Sequence, residues 1–469
     1  SLAILLAGYI FYSRYLERTM EVDPNRPTPA VSMSDGVDFV PMPWWRVLLI
    51  QFLNIAGLGP IFGAIAGALW GPVAFVWIVL GTVFAGAVHD YFSGMLSVRH
   101  NGLSITEVIG IYLGNITKQL MRIFTIVLLV LVGVVFISGP AGILANLTPA
   151  TLDFRFWVWV IFFYYILATL LPIDKIIGKI YPVFGFALLF MAASLIIALI
   201  IKGYAIPELT SENWRNFHYD KEKFPIFPML FITIACGAIS GFHATQSPLM
   251  ARCMKNEKEG RKVFYGAMVI EGVVALIWAA ISMSFFGGVR ELGEMMVAQK
   301  GNAAWVVNEI SNSLLGKFGA ILAILGVVAA PITSGDTAFR SARLTVGDLL
   351  RFNQKPIRNR LIITIPLFAV GFLLTKINFD VVWRYFAWSN QTLATVVLWT
   401  ITVYLFQKRK PYWITLLPAL FMTAVVTTYI MLAPEGFALS KPFSYATGFA
   451  VTALVFSTFL FYTRNKTDD

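Results

Sequence analysis

Apolar stretches long enough to cross a bilayer follow one another along the whole chain, separated by short polar segments. A spanning helix needs about 20 predominantly apolar residues. The pattern predicts thirteen spans, at 1–13, 47–69, 72–94, 120–138, 156–171, 181–201, 226–249, 263–286, 314–337, 361–375, 385–406, 412–432 and 443–462. They are read as helices, because lipid offers no partner to an open backbone and admits only helices or closed barrels. The alternating segments of a barrel do not occur in the sequence. The first run is short and begins at Ser1 without the features of an intact signal peptide, so the visible chain is expected to start inside its first span. The fold class expected is therefore an all-α integral membrane protein.

Composition agrees with this pattern. Of 469 residues, 58% are apolar and 13% charged, against about 25% charged in soluble domains. The net charge of +11 would suggest nucleic acid in a soluble protein, but its placement follows the spans. Alternate loops (14–46, 95–122, 172–180, 251–262, 338–360, 407–411 and 463–469) hold 25 of the 36 Lys and Arg residues. By the positive-inside rule that side is cytoplasmic, with the C-terminus inside and the visible N-terminus outside. The expected location is a bacterial inner (plasma) membrane. No Lys or Arg is left for a helix interior. Short amphipathic helices are expected at 287–313, over the outer mouth, and at 101–118 inside, the latter capped by Ser104.

Two spans are interrupted. The first contains Asn54-Ile55-Ala56-Gly57-Leu58-Gly59-Pro60. Proline removes a donor and clashes one turn back, and glycine permits non-helical dihedrals. The second runs from Cys236 through Gly237, Ser240, Gly241, Phe242 and His243 to Pro248, with the break expected over 237–248. A kink packed on a neighbouring helix is the plain alternative. The breaks lie in corresponding places, and the charge pattern gives them opposite directions across the membrane. Paired interrupted helices of this kind point to a transporter with inverted repeats and a site at the midplane.

The residues also resemble a known family. Gly57-Leu58-Gly59 after Asn54 is similar to the unwound first core helix of the LeuT-like, amino acid–polyamine–organocation superfamily. Ala330-Pro331-Ile332-Thr333-Ser334 resembles the eighth core helix of its sodium-coupled members. A closer resemblance, over about 45–350, is to the carbon starvation protein (CstA) family. It rests on Asn54 to Ile61, Ala85 to Asp90, Arg99 to Gly102, Phe231 to His243 and Tyr265 to Met268. That resemblance implies a five-plus-five inverted-repeat core and uptake of peptides or pyruvate. The expected organisation is an extra helix and linker at 1–45, repeats at 46–225 and 226–411, and two accessory helices at 412–469.

Candidate chemistry follows. Half-helices starting after Gly59 and Gly241 would aim free N–H groups at the midplane and favour a carboxylate. The substrate residues expected are Asn54, Gly57, Gly59, Ser240, Gly241, Phe242 and His243. Thr333 and Ser334 share a helix face with the Ala330 carbonyl. With the Leu53 and Ala56 carbonyls they would suit sodium, where the resemblance also implies a sodium site. The alternative is that both hydroxyls bond back within their own helix. Asp90, Glu271 and Asp336 are ionisable groups inside spans and candidates for proton coupling. Asp336 could instead pair with Arg340. Asp90 is expected to pair with an inner-loop cation such as Arg99 rather than with adjacent His89. His89 is retained as a candidate metal ligand.

An enzyme is not expected. The four histidines have no ligand spacing, the two cysteines form no framework, and no nucleotide motif occurs. No cofactor is expected beyond a sodium ion. The partners are a small-molecule substrate and the lipid bilayer, not nucleic acid, and oligomeric state is left open. The reading is a secondary active importer of a small organic nutrient, foremost short peptides, coupled to sodium or protons. Pyruvate or another small carboxylate, or an uncoupled anion facilitator, are the alternatives.

Overall fold

The structure is a computed structural model that describes residues 1–36, 38–170, 173–354 and 356–467. It is helical throughout, and among the described residues the only strand-like pairing is one isolated bridge between Met42 and Met254. Among the described residues, seven helices are long and apolar enough to cross a membrane, and the bent pair Trp44–Ile55 and Gly59–Trp70 makes an eighth. These match eight of the thirteen expected spans. The other five expected runs are also helical, but they are shorter, broken or richer in polar side chains. The final residue of the expected span 156–171 lies outside the described residues.

Lipid-facing surface is evident on the last helix, Lys441–Thr467, where Phe449, Leu454 and Phe461 are 58%, 66% and 67% exposed. Apolar side chains left uncovered in such numbers match a hydrocarbon surrounding. Inside, the long helix Ile105–Leu147 packs along Ala329–Leu350 and Phe379–Gln407.

The two interrupted helices run antiparallel. At one end, the N–H groups of Val40 and Met42 donate to the Arg252 and Cys253 carbonyls at 3.1 and 2.9 Å. At the other, Trp70 Nε1 donates to the Phe224 carbonyl at 3.2 Å. The start of each helix thus lies beside the end of the other, as the opposed breaks require.

Three local expectations change. The helix Ala329–Leu350 does not stop at 337; it continues to a left-handed Arg351. It therefore carries Arg340 and Arg343 inside, 6% and 4% exposed, contrary to the expectation that no basic side chain enters a helix interior. Arg340 is held by the Ala168 carbonyl at 3.0 Å, which gives its buried charge an acceptor. Ser104 does precede its helix, but its hydroxyl bonds Thr106 Oγ1 at 3.1 Å instead of a backbone N–H. The helix it starts is turned at Gly114 (φ 87°), so 105–113 is set off from the spanning part. The outer segment 287–313 folds not as one short helix but as Val289–Ala298 followed by the start of the longer helix Ala303–Ala323.

Candidate functional site

The first interrupted helix ends at Ile55, leaves helical geometry at Ala56 (φ −83°, ψ 40°) and resumes at Gly59 after a 54° bend. The second unwinds over 234–240, where Gly237 has φ 92°, and resumes as Gly241–Ala251. The break therefore begins three residues before the expected 237–248 interval and ends at 240, and His243 sits in the first turn of a helix, not in an unwound segment. The two breaks touch. A Cβ on Gly59 would lie 2.1 Å from the Cys236 Cβ, and one on Gly237 would lie 3.6 Å from the Pro60 Cα. Glycine is required at 59 because the Cys236 side chain occupies the space of a Cβ, and at 237 because of its positive φ and because an added Cβ would lie 2.6 Å from the Ala275 Cβ. Two freed carbonyls find partners: Trp77 Nε1 donates to Ile234 at 2.9 Å and Thr82 Oγ1 to Gly237 at 2.8 Å. That is how an interrupted helix survives away from water.

The N-terminus at Gly241 does not face open space. Asn390, from the helix Phe379–Gln407, accepts the Phe242 N–H at 2.6 Å and the Ser240 hydroxyl at 3.0 Å through Oδ1. A Cβ on Gly241 would meet the Asn390 and Ala394 backbone at 2.5 Å. The expected carboxylate cradle at Ser240, Gly241 and Phe242 is thus filled by a side chain that caps the helix. Phe242 packs on Phe136, with ring centroids 6.0 Å apart, and the Phe136 ring would lie 2.6 Å from a Cβ on Gly57. Asn390 was missed in the sequence. The signal was the run Ser389-Asn390-Gln391 inside an apolar span.

Behind the crossing lies a chain of ionisable groups, all fully buried. His89 Nδ1 and Asp90 Oδ1 are 2.8 Å apart, and so are His243 Nδ1 and Asp90 Oδ2. His243 Nε2 then faces Glu271 Oε2 at 3.4 Å. This overturns two expectations. Asp90 does bond its neighbour His89, because the carboxylate turns between two imidazoles. Arg99 instead pairs with Glu257 at 2.6 Å. Cys236, His243 and Glu271 each present a ligand atom within 4.8 Å of the others. His89, the expected metal ligand, stands one group further back, behind Asp90.

Most of the expected cation group is brought together. Ser334 Oγ reaches the Leu53 carbonyl at 2.9 Å and the Ala330 carbonyl at 3.0 Å, and Thr333 Oγ1 reaches Ala330 at 2.6 Å. Back-bonding within the helix thus occurs together with a link to the first break. Among the described residues, the contacts joining this group do not include Ala56, whose N–H closes on Phe52 at 2.8 Å. Asn54 Oδ1 is 3.5 Å from Thr337 Oγ1, and its Nδ2 is buried without a partner. Asp336 accepts a hydrogen bond from Tyr181 at 3.0 Å.

A cavity of about 650 Å³ descends toward the crossing from the end bearing loops 202–225 and 287–302. Phe62 and Thr233, from the two interrupted helices, form part of its wall with Trp70, His218, Trp383 and Arg384. His218 stacks on Trp70 at 4.6 Å, and burial holds its imidazole down to about 4, with the Asp220 carboxylate opposing that shift. The opposite end holds a recess of only about 40 Å³. That end is tied by Arg26 and Arg99 to buried Glu257, and by Lys410 to Glu21 at 3.2 Å.

Antiparallel interrupted helices, buried polar groups and a cavity leading to them define a helical membrane transporter. A mutant of the manganese transporter from Eremococcus coleocola has the same overall fold, with a TM-score of 0.51 over 92% of this chain and 98% of that one, at 14% identity. The chain belongs to the carbon starvation protein CstA family, whose model matches residues 1–152, 141–312 and 289–429. A membrane protein of Haemophilus influenzae is 44% identical over 63% of this chain and 92% of its own. The peptide transporter CstA of Helicobacter pylori is 26% identical over 91% of this chain and 80% of its own. The pyruvate/proton symporter BtsT of Escherichia coli is 29% identical over 59% of this chain and 47% of its own. The protein is accordingly a multi-pass bacterial membrane transporter, and the named relatives are transporters and not enzymes.

Proposed function

We propose that this protein imports short peptides, or nutrients of similar size bearing a carboxylate, and couples their entry to a cation gradient. The observation that carries this reading is the cavity of about 650 Å³ walled in part by both interrupted helices, through Phe62 and Ala66 of one and Ile232 and Thr233 of the other. Sites for small organic ligands run on the order of 300–1,000 Å³, and a three-carbon acid would leave most of this one empty. Its aromatic wall suits peptide side chains, and Lys300 and Arg384 near the mouth suit a carboxylate. The relatives named peptide transporters support the same class.

In this reading the solute enters the cavity, and rocking about the breaks then opens the opposite end. An inverted-repeat core would supply the two halves that rock. Sodium would bind between Leu53, Ala330, Thr333 and Ser334. The hydroxyls would turn their protons away and present lone pairs, joining the first break to the helix Ala329–Leu350. Proton coupling would instead use Asp336 and its Tyr181 partner. Pyruvate is the second reading, favoured by the relative named a pyruvate/proton symporter.

The test is uptake by proteoliposomes of a labelled dipeptide or pyruvate under imposed sodium or proton gradients. Concentrative dipeptide uptake driven by either gradient is expected. Sodium drive should vanish in Ser334→Ala, and proton drive in Asp336→Asn. Concentrative uptake of pyruvate alone would replace the peptide reading. Uptake that only equilibrates, indifferent to both gradients, would make the protein a facilitator and overturn coupling.

A further inference from the structure

We infer that Cys236, His243 and Glu271 form a binding site for a first-row divalent metal ion of the zinc or cobalt kind. The inference does not depend on the transport reading. The three donors come from the unwound segment itself (Cys236), from the first turn of the helix that follows it (His243) and from the helix Ala267–Phe285 (Glu271). Each is buried. Their ligand atoms lie within 4.8 Å of one another. In a tetrahedron, bonds of about 2.0–2.3 Å to one ion separate two ligands by about 3.3–3.8 Å, so the widest pair would close by about 1 Å at most. His243 Nε2 and Glu271 Oε2 are already 3.4 Å apart, the edge expected of a tetrahedron with bonds of about 2.1 Å.

The polar atoms concerned ask for a partner. His243 Nε2 and both Glu271 oxygens are buried, and apart from their own 3.4 Å approach and the Gly237 backbone beside Glu271 they have no well-formed hydrogen bond. A buried polar atom left unmatched costs about 1–3 kcal/mol, and an ion at this point would meet all three. The surroundings are arranged as around a metal. Asp90 Oδ2 takes the other imidazole nitrogen of His243 at 2.8 Å, leaving Nε2 free to ligate. A carboxylate behind a ligating histidine is the usual outer arrangement of such sites. His89 in turn holds Asp90 at 2.8 Å. Asn390 Nδ2 donates toward the Cys236 sulfur at 3.5 Å.

The donor set selects the ion. Thiolate and imidazole favour zinc, cobalt or a similar transition metal over magnesium or calcium, which want oxygen. On binding, the thiol proton, now directed at Ser240 Oγ from 3.5 Å, and the proton shared between His243 Nε2 and Glu271 leave for solvent. One thiolate and one carboxylate then balance a divalent charge. Such an ion would fasten the unwound segment 234–240 to the helix behind it.

The test is a cobalt titration of the purified full-length chain in detergent, read by absorption. One ion per chain, with a thiolate-to-cobalt charge-transfer band and intense tetrahedral d–d bands, is expected, and zinc should displace it where magnesium does not. Cys236→Ser should remove the charge-transfer band, while Cys253→Ser keeps it. Asp90→Asn should keep the band and weaken affinity about 10- to 100-fold. Metal-free melting of each variant checks that it folds, and Glu271→Gln provides a second ligand variant expected to weaken cobalt binding should Cys236→Ser unfold. The inference is overturned if wild-type protein shows no charge-transfer band, if the band survives Cys236→Ser, or if it is lost in Cys253→Ser.

Discussion

Single side chains at this crossing do work that their neighbours in sequence do not reveal. Asn390 seals a helix end that would otherwise draw an anion, so any substrate carboxylate must be met elsewhere until that contact opens. His218 is the titrating residue of the cavity wall. Its Nδ1 accepts the Asp220 N–H at 3.1 Å, and its ring lies between Trp70 and Phe224. Its folded value of about 4 lies below the ordinary 6.5, so the undocked loop binds the proton more readily. Docking is therefore at full strength above pH 6.5 and is lost as pH falls toward 4. Hydrogen exchange of residues 202–225, corrected for intrinsic rate, should show protection falling through that window. His218→Phe should abolish the step.

At the scale of elements, close backbone approach controls the design. The interrupted helices meet through glycine, and the neighbouring helix enters at Gly86, where a Cβ would lie 2.1 Å from the Ala238 carbonyl oxygen. Gly59→Ala should therefore destabilise the protein by about 1–3 kcal/mol through overpacking. Gly142→Ala, which meets nothing within 4 Å, should leave stability unchanged or slightly raised. Thermal unfolding of both variants checks the contrast. The tied end depends on a different device, a buried carboxylate shared by two arginines. Glu257→Gln removes that charge and should cost about 1–3 kcal/mol, limited because Arg26 is 40% exposed. It should also loosen the closed end, read as faster thiol labelling of a cysteine placed at Thr345, which lines the small recess.

For the whole molecule, among the described residues, one end holds the larger cavity while the other is tied by ion pairs around buried Glu257. The positive-inside rule predicts that the end with the larger cavity faces outside. A membrane-impermeant thiol reagent applied to intact cells should then label a cysteine at Asn302 and not one at Arg464. The reverse pattern would invert the orientation.

The helical membrane architecture was legible because apolar run length and the exclusion of charge act locally along the chain. The two breaks were legible for the same reason: glycine and proline constrain the backbone wherever they fall. The helices' opposed directions followed from where lysine and arginine could not go. What surrounds the breaks was not legible. The His243 partner of Asp90 and the Asn390 partner of Phe242 come from 153 and 148 residues away, and no spacing rule reaches that far. Arg340 and Arg343 were read as loop residues because their burial depends on carbonyls such as that of Ala168, 172 residues distant. Cys236 stood alone until folding brought His243 and Glu271 beside it. Local chemistry thus set where this chain could bend, and packing between distant helices settled which polar groups meet at the bend.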